Sequence, residues 1–333
     1  MEAGADAYNK RKTKEKKVKN RSSDVYDVMN QVNQVIFGKE REVREIMLAL
    51  LANGHVLLED IPGVGKTTLA LAFSRTMELE YHRIQFTPDV LPSDLTGFSI
   101  YHREKEKFVY QQGAVFCNLL LADEINRTSP KTQSALLEVM EERKVTVEEI
   151  TREVPSPFLV IATQNPFGSA GTSRLPEAQV DRFMVSMSVG YPDYDSELAM
   201  VIGERGEKHL EKIRPVFGGQ ELLEIQEEVH HIYVKERVGR YLVDLVRATR
   251  ESRYLERGGS PRATIALVRM AQASAWLDQR DYVIPEDISS QFPFVMRHRI
   301  LLSSAAGIDG KSVEEVLEDI VSSVKKPAPG EDK

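Results

Sequence analysis

Apolar and polar residues follow two different patterns along the chain, and the change between them divides the sequence into two parts. Up to residue 191, short apolar runs of strand length alternate with stretches in which apolar residues recur at helical spacing. Five runs predict strands, at residues 55–58, 81–86, 116–122, 158–163 and 184–189. The third run is almost wholly apolar, as expected of a strand that is covered on both faces. The alternation is typical of a parallel sheet with helices on its faces.

Two further segments of this first part predict hairpins, because apolar residues alternate on either side of a charged tip. They are residues 97–110 and, with weaker alternation, residues 142–154. Helices are predicted before the first strand, over residues 25–37 and 43–51, and Gly54 is expected to cap the second of these helices.

After residue 191 only helical spacing remains, and we therefore place a domain boundary there. Apolar faces predict helices near residues 222–225, 238–246 and 261–276, from residue 285 onward, and over residues 313–324. The predicted organisation has four parts: a basic, disordered tail (residues 1–24), an α/β domain (25–191), an all-helical domain (192–326) and a second disordered tail (327–333).

Composition limits the classes of protein to which the chain can belong. The sequence has 333 residues, of which 41% are hydrophobic and 29% are charged, as in ordinary globular proteins. No apolar run approaches the length of a membrane span, and the first residues lack the apolar core of a signal peptide. The single cysteine excludes a disulfide within the chain. These features favour a cytoplasmic protein.

The net charge of −7 is unevenly distributed. Residues 1–21 carry eight lysines and arginines against three acidic residues, a net charge of +5, so the remainder carries −12. An acidic body argues against a large nucleic-acid surface. The basic tail could contact phosphates or anionic lipid, or it could simply be a solvated, disordered segment.

The first predicted strand runs into a segment that resembles a phosphate-binding loop. Gly63, Gly65, Lys66 and Thr67 match the pattern G-x-x-x-x-G-K-[ST], whereas Asp60 stands where the pattern has its first glycine. The glycines let backbone N–H groups point inward, the lysine can reach the β- and γ-phosphates, and the hydroxyl can contact Mg²⁺. The candidate nucleotide-binding residues here are Pro62, Gly63, Val64, Gly65, Lys66, Thr67 and Thr68. The alternative is an ordinary strand-to-helix turn that happens to contain a lysine.

Two carboxylates follow the third apolar strand, as in a Walker B motif. Asp123 is the candidate ligand for Mg²⁺ together with Thr67, and Glu124 is the candidate to orient or deprotonate the attacking water. Acidic residues at a strand end can also be solvated turn residues. Asn165, after the fourth strand, could bond the γ-phosphate and the water, although Asn-Pro also begins ordinary turns.

Two arginines, Arg182 and Arg262, are candidates for neutralising the charge of the transition state. Either side chain could equally form a surface ion pair, and their spacing does not decide between the two roles.

Taken together, four motifs resemble the MoxR family of AAA+ ATPases. They are Asp-Glu-Ile-Asn-Arg at 123–127, the segment 130–138, Ala-Thr-Gln-Asn-Pro at 162–166, and the segment 175–183. The resemblance covers about residues 31–302. It implies an α/β P-loop NTPase core of the AAA+ type with a parallel five-stranded sheet, a C-terminal all-helical lid domain, and ATP bound between the subunits of a ring, usually a homo-hexamer.

The resemblance also implies a role for each candidate residue. Lys66 and Thr67 would be Walker A residues, Asp123 and Glu124 Walker B residues, Asn165 sensor 1, Arg182 an arginine finger reaching a neighbour's ATP, and Arg262 sensor 2 on the lid. Ile36, Phe37 and Gly38 would pack on the adenine. Residues 97–110 resemble the family's helix-2 insert and residues 142–154 its pre-sensor hairpin, both directed at the ring pore or its rim.

The function that the resemblance implies is Mg²⁺-dependent ATP hydrolysis by a chaperone-like motor. Such a motor remodels, assembles or activates a client protein, and in this family the expected client carries a von Willebrand factor A-type domain. Two alternatives stay open. One is a nucleotide-gated scaffold with little hydrolysis, and the other is a nucleic-acid motor that uses the basic tail, against which the acidic body argues.

Overall fold

The computed structural model describes residues 21–60, 65–165, 175–201 and 207–327, and the structural statements below refer to these ranges. The strands are β1 (Val56–Glu59), β2 (Tyr81–Gln85), β3 (Phe98–His102), β4 (Lys107–Gln111), β5 (Leu119–Asp123), β6 (Lys144–Val147), β7 (Ile150–Glu153), β8 (Leu159–Gln164), β9 (Val185–Met187), β10 (Leu255–Arg257) and β11 (Leu301–Leu302). The helices of the first part are α1 (residues 21–33), α2 (Glu40–Leu51), α3 (Lys66–Thr76), α4 (Pro92–Thr96), α5 (Pro130–Glu142) and α6 (Glu177–Val180). Those that follow are α7 (Tyr194–Val201), α8 (Glu207–Leu210), α9 (Gly219–His230), α10 (Glu236–Glu251), α11 (Pro261–Leu277), α12 (Pro285–Met296), α13 (Ser304–Ile308) and α14 (Val313–Ser323).

A five-stranded sheet in the order β2-β5-β8-β1-β9 forms the centre of the first part. Every pairing in it is parallel, which confirms the predicted sheet. The carboxyl ends of all five strands therefore lie at one edge, and their amino ends lie at the other.

Helices cover both faces of this sheet. Val56 and Leu58 belong to a core that also contains residues of α1, α2, α3 and the C-terminal helices, whereas Leu57 between them belongs to a second core with α5. This alternation follows from the period of two in a strand. The α5 helix begins with Ser129 Oγ accepting the backbone N–H of Thr132 at 3.3 Å, as the Ser-Pro start predicts.

The C-terminal helices form the predicted helical lid, and their core continues into that of the sheet. The lid is not all-helical as predicted, because β10 and β11 pair within it as a short antiparallel sheet. Trp276 on α11 is 1% exposed, and Gln226 on α9 donates a hydrogen bond to the carbonyl oxygen of Leu50 at 2.8 Å. The lid therefore packs on α2 and shares one apolar core with one face of the sheet.

Three of the predicted helix boundaries are wrong. Helix α1 includes residues 21–24, which we had assigned to the tail, and it ends at residue 33 instead of 37. Arg21 pairs with Glu228 at 2.6 Å, which attaches the start of α1 to the lid. At the end of α2 the left-handed residue is Asn53, with φ of 55°, and not Gly54. The N–H groups of Asn53 and Gly54 bond to the carbonyls of Leu50 and Ala49, which is the Schellman pattern.

Both predicted hairpins are present, as β3–β4 and β6–β7, and they contact each other. Ser99 Oγ donates to Glu148 Oε2 at 2.7 Å, and the Arg152 guanidinium lies 3.7 Å from the centre of the Tyr110 ring. Phe108 is 70% exposed on one hairpin. The hairpins therefore form a single projection that carries exposed aromatic surface.

Within the described ranges, no helix combines the length and apolar character needed to cross a bilayer. Cys117 lies just before β5 and is buried. Burial raises the pKa of its thiol to about 12, so it belongs to the core and is not a reactive thiol.

Candidate nucleotide site

The end of β1 and the start of α3 form the described part of the phosphate loop. Gly65 adopts φ of 85° immediately before α3, a left-handed conformation that favours glycine. Lys66 is the first residue of α3, and its Nζ donates to the carbonyl oxygen of Asp60 at 3.1 Å. Burial lowers the pKa of Lys66, an effect that the charges of Asp60, Asp123 and Glu124 oppose. The predicted residues Pro62, Gly63 and Val64 lie outside the described residues.

The other residues predicted to bind nucleotide surround this point. Thr67 and Thr68 lie in the first turn of α3, the former exposed and the latter half-buried. A Cβ atom added at Gly65 would lie 3.7 Å from Ile36 Cδ1. Ile36 thus borders the phosphate loop, and the packing of Ile36, Phe37 and Gly38 on adenine stays a prediction.

The two Walker B residues lie at the carboxyl end of β5, where Thr163 contacts both of them. The Thr163 hydroxyl donates to Asp123 Oδ1 at 2.6 Å and accepts the backbone N–H of Glu124 at 2.8 Å. Glu124 has φ of 55°, a strained conformation for a residue with a side chain. Such strain persists only where the surroundings fix it, and here the bond to Thr163 does so.

Positively charged and amide groups pair with these carboxylates. Arg83 on β2 lies 2.8 Å from Asp123 Oδ2, and Arg127 lies 2.7 Å from Glu124 Oε2. Gln85 Nε2 donates to the same Glu124 oxygen at 3.0 Å. The carboxylate of Glu124 is therefore held by two side chains in this state.

Asn165 follows β8 directly and lies at the same edge of the sheet. Its backbone carbonyl accepts a hydrogen bond from Asn126 Nδ2 at 3.2 Å. Lys66, Asp123, Glu124 and Asn165 thus come from three different strand ends that meet at one edge. The hydroxyl of Thr67 and the carboxylate of Asp123 are the oxygen ligands that Mg²⁺ prefers, so these residues fit that ion.

Arg182 and Arg262 lie elsewhere, at the amino edge of the sheet. Arg182 precedes β9 by three residues, and Arg262 is the second residue of α11. Glu141, near the end of α5, joins them, because its two carboxylate oxygens lie 3.2 Å from Arg182 Nε and 2.5 Å from Arg262 Nη2. The length of β1, from Val56 to Glu59, separates this edge from the carboxyl edge by about 10 Å.

These two arginines border a cavity of about 540 Å³ that Arg143, Arg269 and Arg299 also line. Arg299 is 5% exposed and fixes the segment that carries Arg182. Its guanidinium donates to Asp181 Oδ1 at 2.7 Å and to the carbonyl oxygens of Phe183 at 2.6 Å and Met184 at 3.0 Å. The amino edge thus presents several guanidinium groups to solvent or to a neighbouring molecule.

Comparisons with known proteins agree with this arrangement. Residues 55–185 match the family described as the ATPase family associated with various cellular activities, and residues 247–320 match the AAA lid domain. The chain is 40% identical over 306 residues to the chaperone MoxR1 of Mycobacterium tuberculosis, an alignment that spans 89% of this chain and 81% of that protein. The chain belongs to the MoxR family of AAA+ ATPases.

Other relatives extend this finding. This chain is 45% identical to YeaC of Bacillus subtilis, in an alignment that spans 89% of this chain and 92% of that protein. It is 31% identical to the protein MoxR of Methylorubrum extorquens over 82% and 86% of the two chains. A solved structure of a candidate ATPase from Cytophaga hutchinsonii superposes with a TM-score of 0.88 at 38% identity, covering 96% of this chain and 99% of that one.

Several polar residues of this MoxR site were missed by the sequence analysis. Thr163, Arg83 and Gln85 contact the Walker B carboxylates, and Glu141 joins the two arginines. Thr163 could have been found from the sheet alone, because the register Ala122↔Ala162 places it beside Asp123. Arg83, Gln85 and Glu141 carry no motif, and only the folded chain brings them to the site.

Proposed function

We propose that this MoxR protein hydrolyses ATP in the cytoplasm and uses the energy to remodel, assemble or activate a client protein. The observation that carries the proposal is the meeting of Lys66, Asp123, Glu124 and Asn165 at one edge of the sheet. This arrangement supplies a cation for the β- and γ-phosphates, a ligand for the metal, a base near the expected position of the water, and an amide that can orient it.

Each residue has a defined part in this proposal. Lys66 binds the phosphates, and Thr67 with Asp123 holds Mg²⁺, which when bound neutralises charge on the phosphate oxygens. Glu124 orients or deprotonates the attacking water, for which it must be released from Gln85 and Arg127. Asn165 bonds the γ-phosphate and the water. Ile36, Phe37 and Gly38 pack against the adenine.

Arg182 and Arg262 act on the ATP of an adjoining subunit. Their position at the amino edge, opposite Lys66 and bridged by Glu141, supports a role in trans for both arginines. One subunit then offers its phosphate loop and the next offers its guanidinium groups, an arrangement of unlike faces that closes into a ring. We take the ring to be a hexamer. An arginine finger accelerates phosphoryl transfer by about 10³–10⁵ in related systems.

The joined hairpins are the surface that we assign to the client. Phe108 and Tyr101 are 70% and 51% exposed and their ring centres lie 5.4 Å apart, while Ile150 on the other hairpin is 55% exposed. Contiguous exposed apolar surface marks a site for a partner. The expected client is a protein with a von Willebrand factor A-type domain, by analogy with the family.

Mixing two inactive variants tests the proposal. Arg182→Ala keeps a complete phosphate site but cannot supply the finger, whereas Glu124→Gln keeps the finger but cannot activate water. Each variant alone should turn over ATP poorly. In a mixed ring each interface pairs the phosphate site of one subunit with the arginine finger of the next, and only one of the four possible pairings has both intact. A one-to-one mixture should therefore recover activity at about a quarter of its interfaces.

Failure of the mixture to exceed its components would contradict action in trans. Tight nucleotide binding and ring formation by the wild type with negligible turnover, even with a client present, would favour the nucleotide-gated scaffold instead. Salt-sensitive DNA binding coupled to turnover would favour the nucleic-acid motor.

A further inference from the structure

Asp60 replaces the first glycine of the phosphate-loop pattern, and its side chain has a specific set of partners. The carboxylate is 4% exposed. It accepts hydrogen bonds from Ser188 Oγ at 2.6 Å, from the backbone N–H of Val189 at 2.7 Å and from that of Gly190 at 3.0 Å. Hydrogen bonds to an ionised carboxylate are shorter and stronger than those between neutral groups.

These partners lie on the segment that leaves the sheet toward the lid. Residues 188–190 follow β9 and lead to α7 and the helical part of the chain. The same segment is held from its other side by Lys39, whose Nζ donates to the carbonyl oxygen of Tyr191 at 2.8 Å. Gly190 adopts φ of 67°, so this turn requires a conformation that other residues disfavour.

The backbone of Asp60 faces the opposite way, toward the phosphate site. Its carbonyl oxygen accepts the hydrogen bond from Lys66 Nζ at 3.1 Å. A phosphate group bound at Lys66 would compete for the same ammonium group. One residue is therefore bonded through its main chain to the phosphate-binding lysine and through its side chain to the segment that leads to the lid.

We propose that Asp60 is a positioning residue that couples the phosphate loop to residues 188–191, so that the state of Lys66 changes the path of the chain into the lid. The inference rests on the proposed binding of nucleotide at Lys66. When Lys66 turns from the Asp60 carbonyl to a phosphate, the backbone of Asp60 loses a partner and shifts. The three hydrogen bonds of its carboxylate transmit that shift to residues 188–190.

The neighbouring residue Glu59 provides a matched control. Its carboxylate also bridges strands, since Oε1 accepts from Gln164 at 2.5 Å and Oε2 accepts from Ser186 at 2.8 Å. These contacts stay within the sheet and do not reach residues 188–191. Glu59→Gln therefore changes a neighbouring, half-buried carboxylate without touching the proposed coupling.

Hydrogen exchange of the full-length protein tests the coupling directly. Without nucleotide, Asp60→Gly should speed exchange at the amides of Val189 and Gly190 by about tenfold or more, because charge-assisted hydrogen bonds are lost. Asp60→Asn keeps one oxygen acceptor and should give a smaller increase, as should Ser188→Ala. Glu59→Gln should leave these two amides unchanged.

The second measurement adds a non-hydrolysable ATP analogue. In the wild type and in Glu59→Gln, the analogue should alter exchange in residues 188–201. The analogue should bind to Asp60→Gly with an affinity within about threefold of wild type, but it should alter exchange in residues 188–201 little. The kcat of this variant should fall about tenfold without a matching rise in KM. Asp60→Asn should restore part of both effects, which loss of stability alone would not produce.

Asp60→Gly has a sequence that completes the phosphate-loop pattern. If this variant shows wild-type turnover and a wild-type exchange response to the analogue, the proposal is overturned. Faster exchange at Val189 and Gly190 with an unchanged nucleotide response would also overturn it, since the contact would then exist without coupling. If Asp60→Gly does not fold, Asp60→Asn and Ser188→Ala carry the same test. Failure of the wild type to bind the analogue would refute the nucleotide site itself, independently of the exchange without nucleotide.

Discussion

Glu45 makes the stability of this protein depend on pH in a direction that can be measured. This residue of α2 is 6% exposed, in the core where α2 meets the lid, and its Oε2 atom has no hydrogen-bond partner among the described residues. Burial raises its pKa to about 7, although a hydrogen bond with Gln291 and the charges of Arg44 and Arg41 act in the opposite direction. The folded protein therefore favours the protonated acid.

The size of the effect follows from the difference in pKa between the two states. The unfolded chain has the ordinary value of 4.5, so from pH 4.5 to 7 the folded state binds more protons than the unfolded state. The free energy of unfolding consequently falls as the pH rises through this window and levels off above it. Between pH 5 and pH 8 the loss from Glu45 is about 2.5 kcal/mol.

Glu45→Gln removes this titration and keeps the shape of the protonated side chain. The variant should gain about 2.5 kcal/mol of stability relative to wild type on going from pH 5 to pH 8. Urea unfolding at a series of pH values measures the difference, and Trp276, the single tryptophan and buried in the lid, reports it by fluorescence. Glu40→Gln, at an exposed position in the first turn of α2, is the control. A difference between Glu45→Gln and wild type that stays constant with pH would show that Glu45 is ionised in the folded protein.

Three further substitutions have defined outcomes. Arg182→Ala should reduce turnover by about 10³ or more while nucleotide affinity stays nearly unchanged, as steady-state rates and titration with a fluorescent nucleotide would show; an active variant would remove Arg182 from its role. Glu124→Gln should retain ATP after gel filtration, and ordinary turnover would contradict its assignment as the water activator. Arg299→Met should lower the free energy of unfolding by about 3–5 kcal/mol, because Asp181 loses its buried partner. An unfolding midpoint equal to that of wild type would show that the Arg299 contacts contribute little.

Most strands and helices of the α/β core could be predicted from the sequence, because each of them has a pattern of apolar residues that can be recognised locally. The apolar residues before Asp123 predict both the strand β5 and the position of the two carboxylates at its end. The alternation in β3–β4 predicts its hairpin for the same reason. Helix ends were less certain: Asn53 takes the left-handed position in place of Gly54, since asparagine tolerates that conformation nearly as well.

The remaining features depend on contacts between distant segments, which no local pattern records. In the sequence, Asp60 is only a departure from the phosphate-loop pattern. The fold places Ser188 beside it, and this contact could not be predicted locally. Glu45 reads as an ordinary polar position of an amphipathic helix, and only the folded chain buries it and brings Gln291 of α12 beside it. The shared location of Arg182 and Arg262 arises because α11 starts near the amino edge of the sheet, and Glu141 reaches both of them there.

The hydrogen bond between Ser99 and Glu148 links the two projecting hairpins, so that neither can move independently of the other. The β3–β4 hairpin precedes β5, which ends at Asp123, and the β6–β7 hairpin precedes β8, which Asn165 directly follows. Ser99 lies near the base of the β3–β4 hairpin and Glu148 at the turn of the β6–β7 hairpin, so the bond joins the base of one hairpin to the tip of the other. A displacement of either hairpin is therefore passed to the other, and through them to the segments that lead into β5 and β8.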